Sequence, residues 1–205
     1  MKSTQSTQSP RERLLQTASR LFYAHGVSRV GINEVIREAG IARMTLYYHF
    51  SSKEELVREV LNHRVRNWEV WFVQAVEKRA SAPRAQLLAV FDVMDDLFST
   101  PDYRGCSALK FASDAMQTDT ELAEIAQGHK AFVLNYLETL ARRLPCQQPE
   151  ALAKGLLLLQ NGATVLAQLG GEIYHTGDAR LAAEKLIDAH LERSTDGHKG
   201  GANHD

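Results

Sequence analysis

The sequence predicts an all-α protein of about nine helices. Apolar residues recur every three or four positions along most of the 205-residue chain, which is the period of an amphipathic helix. Proline, glycine and serine interrupt these segments where helices are expected to begin and end. No segment alternates polar and apolar residues in the manner of an array of β-strands, and no internal repeat is present. These three observations favour helices throughout the chain.

The first helix is predicted from Pro10 to His25. Ser9 supplies an N-cap, and a proline at the first helical position lacks an N–H group that would have had no partner there. Gly26 ends the helix, because glycine adopts the positive φ that helix ends often require. Serine, threonine and glutamine dominate residues 1–9, which are expected to form a disordered tail. The apolar face of this helix contains Leu14, Leu15, Ala18, Leu21 and Phe22.

Residues 32–50 predict two short helices joined by a tight turn. Gly40 follows the first of them at a point where the chain must bend, and glycine tolerates the positive φ of such a turn. The second is expected from about residue 42 or 43 to His49, with Leu46 facing the interior. Its outer face carries basic, hydroxyl and aromatic side chains: Arg43, Thr45, Tyr48 and His49. This arrangement is the helix-turn-helix plan, in which the second helix enters the major groove of DNA.

The segment from Gly26 to Leu56 closely resembles the DNA-binding region of TetR-family transcriptional repressors. The resemblance depends on an ordered series of residues, and it covers about the first quarter of the chain. Two positions depart from the family pattern. Gly31 stands where a serine or threonine is usual before the first short helix, and Met44 replaces a small residue. The matching residues are Gly26, Ala39, Gly40, Ile41, Thr45, Leu46, Tyr47, Tyr48, His49, Phe50, Lys53 and Leu56.

The resemblance implies that one surface of this module contacts double-stranded DNA. Arg43 is placed to read guanine through two hydrogen bonds, and Met44 and Thr45 to touch a thymine methyl group. Lys53, at the start of the next helix, is placed to bind a phosphate. Alternative interpretations make Tyr47 a core or interface residue and Arg43 a solvated charge. The resemblance implies DNA contacts by seven residues: Asn33, Arg43, Thr45, Tyr47, Tyr48, His49 and Lys53. Met44 is added to the predicted DNA-contacting residues because of its own position and chemistry.

A long helix is predicted to join this module to the rest of the chain, ending near Ala80. Ser51 and Ser52, with Glu54 and Glu55 three residues later, offer two capping boxes at its start. Further helices are predicted at about 83–98, 106–116, 119–144, 150–169 and 178–193. The predicted organisation is a tail (1–9), a DNA-binding domain (10–54), a helical ligand-binding and dimerisation domain (55–194) and a second disordered tail (195–205).

The resemblance further implies that the helical domain binds a small molecule and forms a homodimer. Dimerisation is expected through about 150–169 and 178–193, whose apolar faces exceed what one small domain needs. Asn161 is polar within the most apolar helix, so its amide needs a partner: the ligand, the other subunit or another side chain. The aromatic residues are equally what a plain core contains. The candidate pocket residues are Trp68, Trp71, Phe72, Phe91, Phe111, His129, Phe132 and Asn161.

These features predict a ligand-responsive repressor that binds a palindromic operator as a dimer and is released by a small-molecule inducer. One alternative is a repressor that senses oxidants or electrophiles through Cys106. This cysteine follows Arg104 at a predicted helix start, where positive charge favours a reactive thiolate. The plainer interpretation of Cys106 is a small buried residue. A more remote alternative is a helical interaction protein that does not bind DNA.

Composition and charge argue against several other classes of protein. Residues 1–62 contain nine Lys or Arg against six Asp or Glu, whereas residues 63–205 contain fifteen against nineteen. The polar start lacks the apolar core of a secretory signal, and the apolar run 155–171 is too short and too polar to span a bilayer. Two cysteines make no disulfide framework, so a cytoplasmic location without membrane association is expected. The motifs of enzymes and metal sites are missing, so neither catalysis nor a cofactor is expected.

Overall fold

The computed structural model of the protein describes residues 8–115, 120–170, 174–175 and 177–196, and all regular secondary structure in these ranges is helical. The predicted all-α fold class is therefore confirmed. The predicted tail over residues 1–7, the predicted helix start at Asp119 and the predicted tail after residue 196 lie outside the described residues. The helices are α1 (Pro10–His25), α2 (Ile32–Ala39), α3 (Arg43–His49), α4 (Lys53–Arg79), α5 (Pro83–Phe98), α6 (Ser107–Ala115), α7 (Thr120–Ala141), α8 (Pro149–Leu169) and α9 (Asp178–Asp196).

The chain divides into two compact units that are not consecutive in sequence. The first unit contains residues 1–68 and 106–129, so α6 and the beginning of α7 belong with the three N-terminal helices. The second unit contains residues 69–105 and 130–205. The predicted boundary between residues 54 and 55 separates a DNA-binding function from a regulatory one. The division into packed units does not test this boundary, so it stays a prediction.

The core of the first unit is built from the apolar faces that the sequence pattern predicts. A capping box starts α1: the Glu12 N–H donates to Ser9 Oγ at 3.2 Å, and the Ser9 N–H donates to the Glu12 carboxylate at 2.9 Å. Leu14 and Phe22 of this helix are fully buried. Helix α6 contributes Phe111, whose ring meets Phe22 edge to face with centroids 6.4 Å apart. Removal of these apolar side chains from water is the main stabilising contribution in the unit.

A Schellman motif closes the turn between α2 and α3. Gly40 has φ 62° and ψ 43°, the left-handed conformation that the sequence predicts for a glycine at this turn. Its N–H donates to the Arg37 carbonyl at 3.2 Å, and the Ile41 N–H donates to the Ile36 carbonyl at 3.3 Å. Ile41 is half-buried against the core, as expected for a residue that fills the space after the turn. The turn therefore fixes where α3 begins.

Both predicted serines form capping interactions at the start of α4. The Glu55 N–H donates to Ser52 Oγ at 3.2 Å, and the Ser51 N–H donates to the Glu55 carboxylate at 2.6 Å. Hydrogen bonds from Ser51 lower the pKa of Glu55. Hydrogen bonds from its own backbone N–H and from Ser52 lower the pKa of Glu54. Two carboxylates therefore lie at the positive end of the α4 dipole, where negative charge is stabilising.

In the second unit, α5 is largely buried and pairs with α9 through charged residues at its margins. Arg84 donates to the Asp188 carboxylate at 2.7 Å, and Arg180 lies 3.1 Å from the carboxylate of Asp92. The order of these pairs along the chain shows that the two helices run antiparallel. Each side chain is partly exposed, so each pair adds little stability and serves mainly to set the alignment of the helices.

Asp95 fastens the segment before α9 to α5. This residue is buried, and its carboxylate accepts hydrogen bonds from the Tyr174 hydroxyl and from the Gly177 N–H, the latter at 2.8 Å. The Leu181 N–H donates to the Gly177 carbonyl at 2.9 Å, so the carboxylate of Asp95 also lies at the positive end of α9. Burial, followed by the neighbouring Asp95, raises the pKa of Tyr174. The side chains of Asp95 and Tyr174 are 79 positions apart in sequence, and the sequence analysis did not connect them.

Several helix boundaries differ slightly from the prediction. Helix α7 ends at Ala141, after which the N–H groups of Arg143 and Leu144 donate to carbonyls three residues earlier rather than four. The predicted end at Leu144 precedes Pro145, which disfavours helical geometry in the residue before it. Helix α6 occupies Ser107–Ala115, and α9 extends to Asp196, two residues into the predicted tail. Among the described residues, no helix combines the length and the hydropathy needed to cross a membrane.

Whether a glycine-to-alanine substitution raises or lowers the free energy of unfolding should depend on the backbone conformation of the glycine. Gly40→Ala places a Cβ on a left-handed residue and should reduce the free energy of unfolding by about 1 kcal/mol. Gly128→Ala, in the interior of α7 with open space around the added Cβ, should increase it by about 0.5 to 1 kcal/mol. Urea denaturation at fixed protein concentration measures both. Two changes of the same sign would contradict this account of the turn.

The contacts of Asp95 should contribute more to the free energy of unfolding than the ion pair of the adjacent Asp96 does. Asp95→Asn replaces one of the two accepting oxygens by an NH2 group, which then faces the donor that this oxygen bound, and should lower the free energy of unfolding by about 1 to 3 kcal/mol. Asp96→Asn is the matched control, because Asp96 is exposed and pairs with Arg79 at the surface. Its effect should stay below about 1 kcal/mol. Equal losses in the two variants would show that Asp95 does not anchor the α9 segment.

Candidate DNA-binding surface

The inner face of α3 is held in the core of the first unit. Leu46 and Phe50 are fully buried, and the Phe50 N–H donates to the Leu46 carbonyl at 2.8 Å where the helix ends. The guanidinium of Arg11 lies 5.4 Å from the centroid of the Phe50 ring and pairs with Glu59 at 2.7 Å. Residues from α1 and α4 thus meet at the end of α3. The orientation of this short helix is consequently set by the core.

The outer face of α3 exposes large apolar and aromatic side chains. Tyr48 is 84% exposed, Met44 is 78% exposed and Tyr47 is 42% exposed. Arg43 is exposed beside them, and Thr45 is half-buried. Exposed apolar groups that cluster next to a cation are typical of a surface that binds another molecule. The predicted inward direction of Leu46 and the predicted exposure of Arg43 and Tyr48 are confirmed, whereas Thr45 and His49 are half-buried.

Contacts between rings and a cation order several of these side chains. The guanidinium of Arg43 lies 5.8 Å from the centroid of the Tyr47 ring, one helical turn away. The rings of Tyr48 and His49 meet edge to face, with centroids 5.0 Å apart and an interplanar angle of 75°. Side chains that are already ordered lose less conformational entropy when they bind. The surface of α3 is therefore partly organised before it meets a partner.

Asn33 and Lys53 lie at the beginnings of two other helices, α2 and α4. Asn33 is exposed. Lys53 is half-buried, and its Nζ donates to the Val27 carbonyl at 2.8 Å, a structural contact that the sequence analysis did not identify. An ammonium group has three N–H donors, so this bond is compatible with a phosphate contact. All eight predicted DNA-contacting residues belong to the first unit and six of them to α3, while their contact with DNA stays a prediction.

A second cluster in the first unit surrounds Tyr23 and was also missed by sequence reasoning. The guanidinium of Arg64 in α4 lies 4.1 Å from the Tyr23 ring centroid and donates to Ser19 Oγ at 2.9 Å. Burial lowers the pKa of Arg64. Lys110 of α6 donates to the Tyr23 carbonyl at 2.9 Å, with its Nζ 5.0 Å from the same ring. One residue of α1 thus binds both α4 and α6, which no local sequence pattern indicates.

The eight candidate pocket residues are divided between the two units. In the first unit, the rings of Trp68 and His129 meet edge to face with centroids 4.8 Å apart, and Phe111 lies in the core. In the second unit, Phe72 is fully buried and contacts Tyr136 with ring centroids 5.5 Å apart. The other second-unit candidates are Trp71, Phe91, Phe132 and Asn161. A role in ligand binding stays a prediction for all eight.

The amide of Asn161 has a side-chain partner. Lys130 Nζ donates to Asn161 Oδ1 at 2.6 Å, and Asn161 Nδ2 donates to the Leu157 carbonyl at 2.9 Å. The neighbouring Gln160 is buried and donates to Thr164 Oγ1 at 3.2 Å, while its Oε1 has no hydrogen-bond partner among the described residues. Lys130 is therefore a half-buried cation of the second unit that sequence reasoning missed. An alternation of apolar and polar residues along one helix cannot reveal a partner on another helix.

Cys106 lies immediately before α6, close to the helix start that the sequence predicts. It is half-buried and packs against the core of the first unit. Its carbonyl accepts a hydrogen bond from the Lys110 N–H at 3.0 Å, which begins the helical pattern. These contacts fit the plain structural interpretation of the cysteine, and a sensing role stays a prediction.

Helices α8 and α9 border an apolar groove in the second unit. Its volume is about 650 Å³. Leu158 on α8 is 73% exposed, and Val165, Leu169 and Leu181 are also exposed large apolar residues of these helices. The residues that line the groove are Gly155, Leu158, Leu159, Gly162, Ala163, Leu166, Tyr174, Asp178, Ala179, Ala182 and Leu186.

Comparison with known proteins identifies the same module. Residues 14–60 match the sequence profile of the family described as bacterial regulatory proteins, tetR family. The HTH-type transcriptional regulator BetI of Agrobacterium fabrum is 26% identical over 191 residues, which cover 92% of this chain and 91% of BetI. The HTH-type transcriptional repressor KstR2 of Mycolicibacterium smegmatis is 34% identical over 83 residues, or 40% of either chain.

Solved structures extend the likeness over nearly the whole chain. A putative TetR transcriptional regulator from Streptomyces avermitilis has a TM-score of 0.74 and 28% identity, covering 89% of this chain and 98% of its own. A TetR-family transcriptional regulator from Streptomyces coelicolor has a TM-score of 0.72 and 28% identity, covering 91% and 95% of the two chains. The exposed face of α3 lies within the matched segment, and these relatives are regulators of transcription. Residues 14–60 therefore form the DNA-binding module of the tetR family of bacterial regulatory proteins, and the likeness over nearly the whole chain supports a TetR-family transcriptional regulator rather than an enzyme.

Proposed function

We propose that the protein is a dimeric repressor that binds a palindromic DNA operator through α3 and leaves it when a small molecule binds the regulatory half. The observation that carries this proposal is the outer face of α3. Arg43 and Tyr47 are already in contact there, and Met44 and Tyr48 are exposed beside them. The matching relative KstR2 is a repressor, which supports repression as the direction of regulation.

Arg43 is the principal base-reading residue in this proposal. It is the first residue of α3, and the N-terminal residues of a recognition helix approach the base edges. A guanidinium forms two parallel hydrogen bonds with O6 and N7 of guanine, and contact with the Tyr47 ring limits its movement beforehand. Tyr48, His49 and Lys53 then serve as donors to phosphate, which fixes the position of α3 along the groove.

Dimerisation through α8 and α9 supplies the second recognition helix. A palindrome is read by two such helices about one turn of DNA apart, which a single copy of this chain does not provide. Exposed Leu158 and the groove beside it offer an apolar surface for a second copy. The hydrogen bond from the Gly177 N–H to the Asp95 carboxylate holds the start of α9 in place, so α8 and α9 present one continuous surface.

Release by a ligand follows from thermodynamic linkage. A small molecule that binds more tightly to one arrangement of the dimer shifts the population toward it. If the distance between the two α3 helices in that arrangement does not match the spacing of the half-sites, the ligand lowers the affinity for DNA. The loss in binding free energy equals the coupling free energy between the ligand site and the DNA-binding surface. Within the second unit, the hydrogen-bonded pair of Lys130 and Asn161 offers a polar anchor for such a ligand. Its aromatic candidates, Trp71, Phe72, Phe91 and Phe132, offer apolar surface.

Selection from a random pool of DNA duplexes with the purified full chain tests the proposal. The wild-type protein should enrich a palindrome. Arg43→Ala should weaken binding to that palindrome by about 1 to 3 kcal/mol and relax the preference at one position of each half-site. Arg142→Ala is the matched control, because it removes an exposed arginine of the second unit. It should preserve the enriched sequence.

Two results would contradict the proposal of sequence-specific binding. One is the absence of any enriched sequence at low salt from a protein that is folded and dimeric. The other is an equal loss of affinity in the Arg43 and Arg142 variants, which would indicate attraction by overall charge alone.

Dimerisation should depend on Leu158. Leu158→Arg would place an unpaired charge in the interface, which costs several kcal/mol, and should shift the dimer to monomer by about a hundredfold or more in dissociation constant. Val70→Arg is the control, because Val70 is an exposed apolar residue of α4 outside the groove. Sedimentation velocity over a micromolar concentration range measures the assembly. A Leu158 variant that dimerises as wild type would place the interface elsewhere.

A further inference from the structure

We propose that Met44 is a specificity-determining residue that selects thymine through contact with the C5-methyl group in the major groove. The inference deepens the proposed function, because it assumes that α3 enters the groove. It assigns a base to one residue of the surface and explains why a large apolar side chain is exposed there. Three properties of Met44 support it: its direction, its place along α3 and its chemistry.

The direction of Met44 follows from the burial of Leu46. At about 100° per residue, Met44 and Tyr48 each point within about 20° of the direction opposite Leu46. Their exposures agree with this geometry, since they are the most exposed large apolar or aromatic residues of α3, at 78% and 84%. Arg43 and Tyr47 occupy one flank of the helix, and Thr45 and His49 the other. Met44 and Tyr48 therefore form the leading ridge of the surface that enters a groove.

The place of Met44 along α3 favours the base edges over the phosphates. It is the second residue of a seven-residue helix, in the N-terminal turn that approaches the bases in this motif. Side chains in a helix lean toward its N-terminus, so Met44 extends further toward that end than its Cα position does. Tyr48, one turn later on the same ridge, has a hydroxyl that can reach phosphate, which leaves the base contact to Met44.

The chemistry of the side chain restricts what it can recognise. A thioether has no donor and is only a weak acceptor, so Met44 gains little from the hydrogen-bonding groups of the base edges. The thymine methyl is the apolar group that the four base pairs present in the major groove. A flexible, polarisable methionine can follow its surface closely. Leu46 and Phe50 already fill the inner side of α3, so the exposure of Met44 is not explained by packing within the chain.

Replacing thymine by uracil tests the inference, because the two bases differ only by the methyl group. Each thymine of the selected operator is replaced in turn, symmetrically in both half-sites, and the full-length protein is titrated by fluorescence anisotropy. At one symmetric pair of positions, each methyl group removed should lower the affinity of the wild-type protein about fourfold. Met44→Ala should bind less tightly but lose less than about twofold at those positions. The salt concentration is set low enough to measure the weaker complex.

Two further variants make the result specific to Met44. Met44→Leu keeps an apolar side chain and should retain the sensitivity to uracil. Leu109→Ala shortens an exposed apolar residue of α6 in the same unit and should match the wild-type profile at every position. A Met44→Ala protein that keeps the full wild-type sensitivity would overturn the inference, and so would a wild-type protein indifferent to uracil throughout the operator.

These failures are distinguishable from failure of the proposed function. A protein that binds its palindrome tightly and ignores the methyl groups remains a sequence-specific regulator, with only the role of Met44 refuted. A protein that enriches no operator refutes both the proposed function and the role of Met44.

Discussion

The packing of Leu46 and Phe50 is the interaction on which the DNA-binding surface depends. A seven-residue helix is too short to be stable alone in water, so its conformation comes from tertiary contacts. Burying these two side chains contributes about 1.5 to 3 kcal/mol each. Their burial also sets the rotation of α3, because it decides which residues point outward. Met44 and Tyr48 are exposed as a direct consequence.

Polar contacts then fix the position of this helix relative to its neighbours within the first unit. Arg11 covers the Phe50 ring and reaches Glu59 on α4, while Lys53 reaches back to the Val27 carbonyl. Tyr23 of α1 binds Arg64 and Lys110, which belong to α4 and α6. Each bond is worth little by itself in a partly exposed position. Together they restrict the sliding and rotation that the hydrophobic core alone would allow.

The parts of the fold that the sequence predicts well are those with local causes. The N-cap at Ser9, the left-handed Gly40 and the inward Leu46 were each indicated by residues within one or two helical turns. The helix-turn-helix surface was therefore accessible to sequence reasoning, and the family resemblance named its residues. Helix limits were correct to within a few residues, with the main deviation at the end of α7.

The parts that the sequence did not predict are contacts between distant segments. The partner of Asn161 is Lys130 on another helix, and Asp95 meets Tyr174 from 79 positions away. The grouping of α6 with the N-terminal helices is likewise set by the packing of Phe111 against Phe22. A helical period of apolar residues indicates that one face of the helix is buried. It does not indicate which other segment packs against that face. For the same reason, the aromatic residues proposed to line a ligand pocket could be named from sequence, although their distribution between two units could not.

In the proposed mode of binding, the outer face of α3 reads bases from the major groove, in two copies per operator. Methylation interference at guanine N7 measures this most directly, because N7 lies in the major groove at the position that Arg43 is proposed to contact. If α3 binds in this way, two clusters of interfering guanines should appear, related by symmetry and centred about one helical turn apart. Tight binding to the operator with no interference at any guanine of the two half-sites would contradict it.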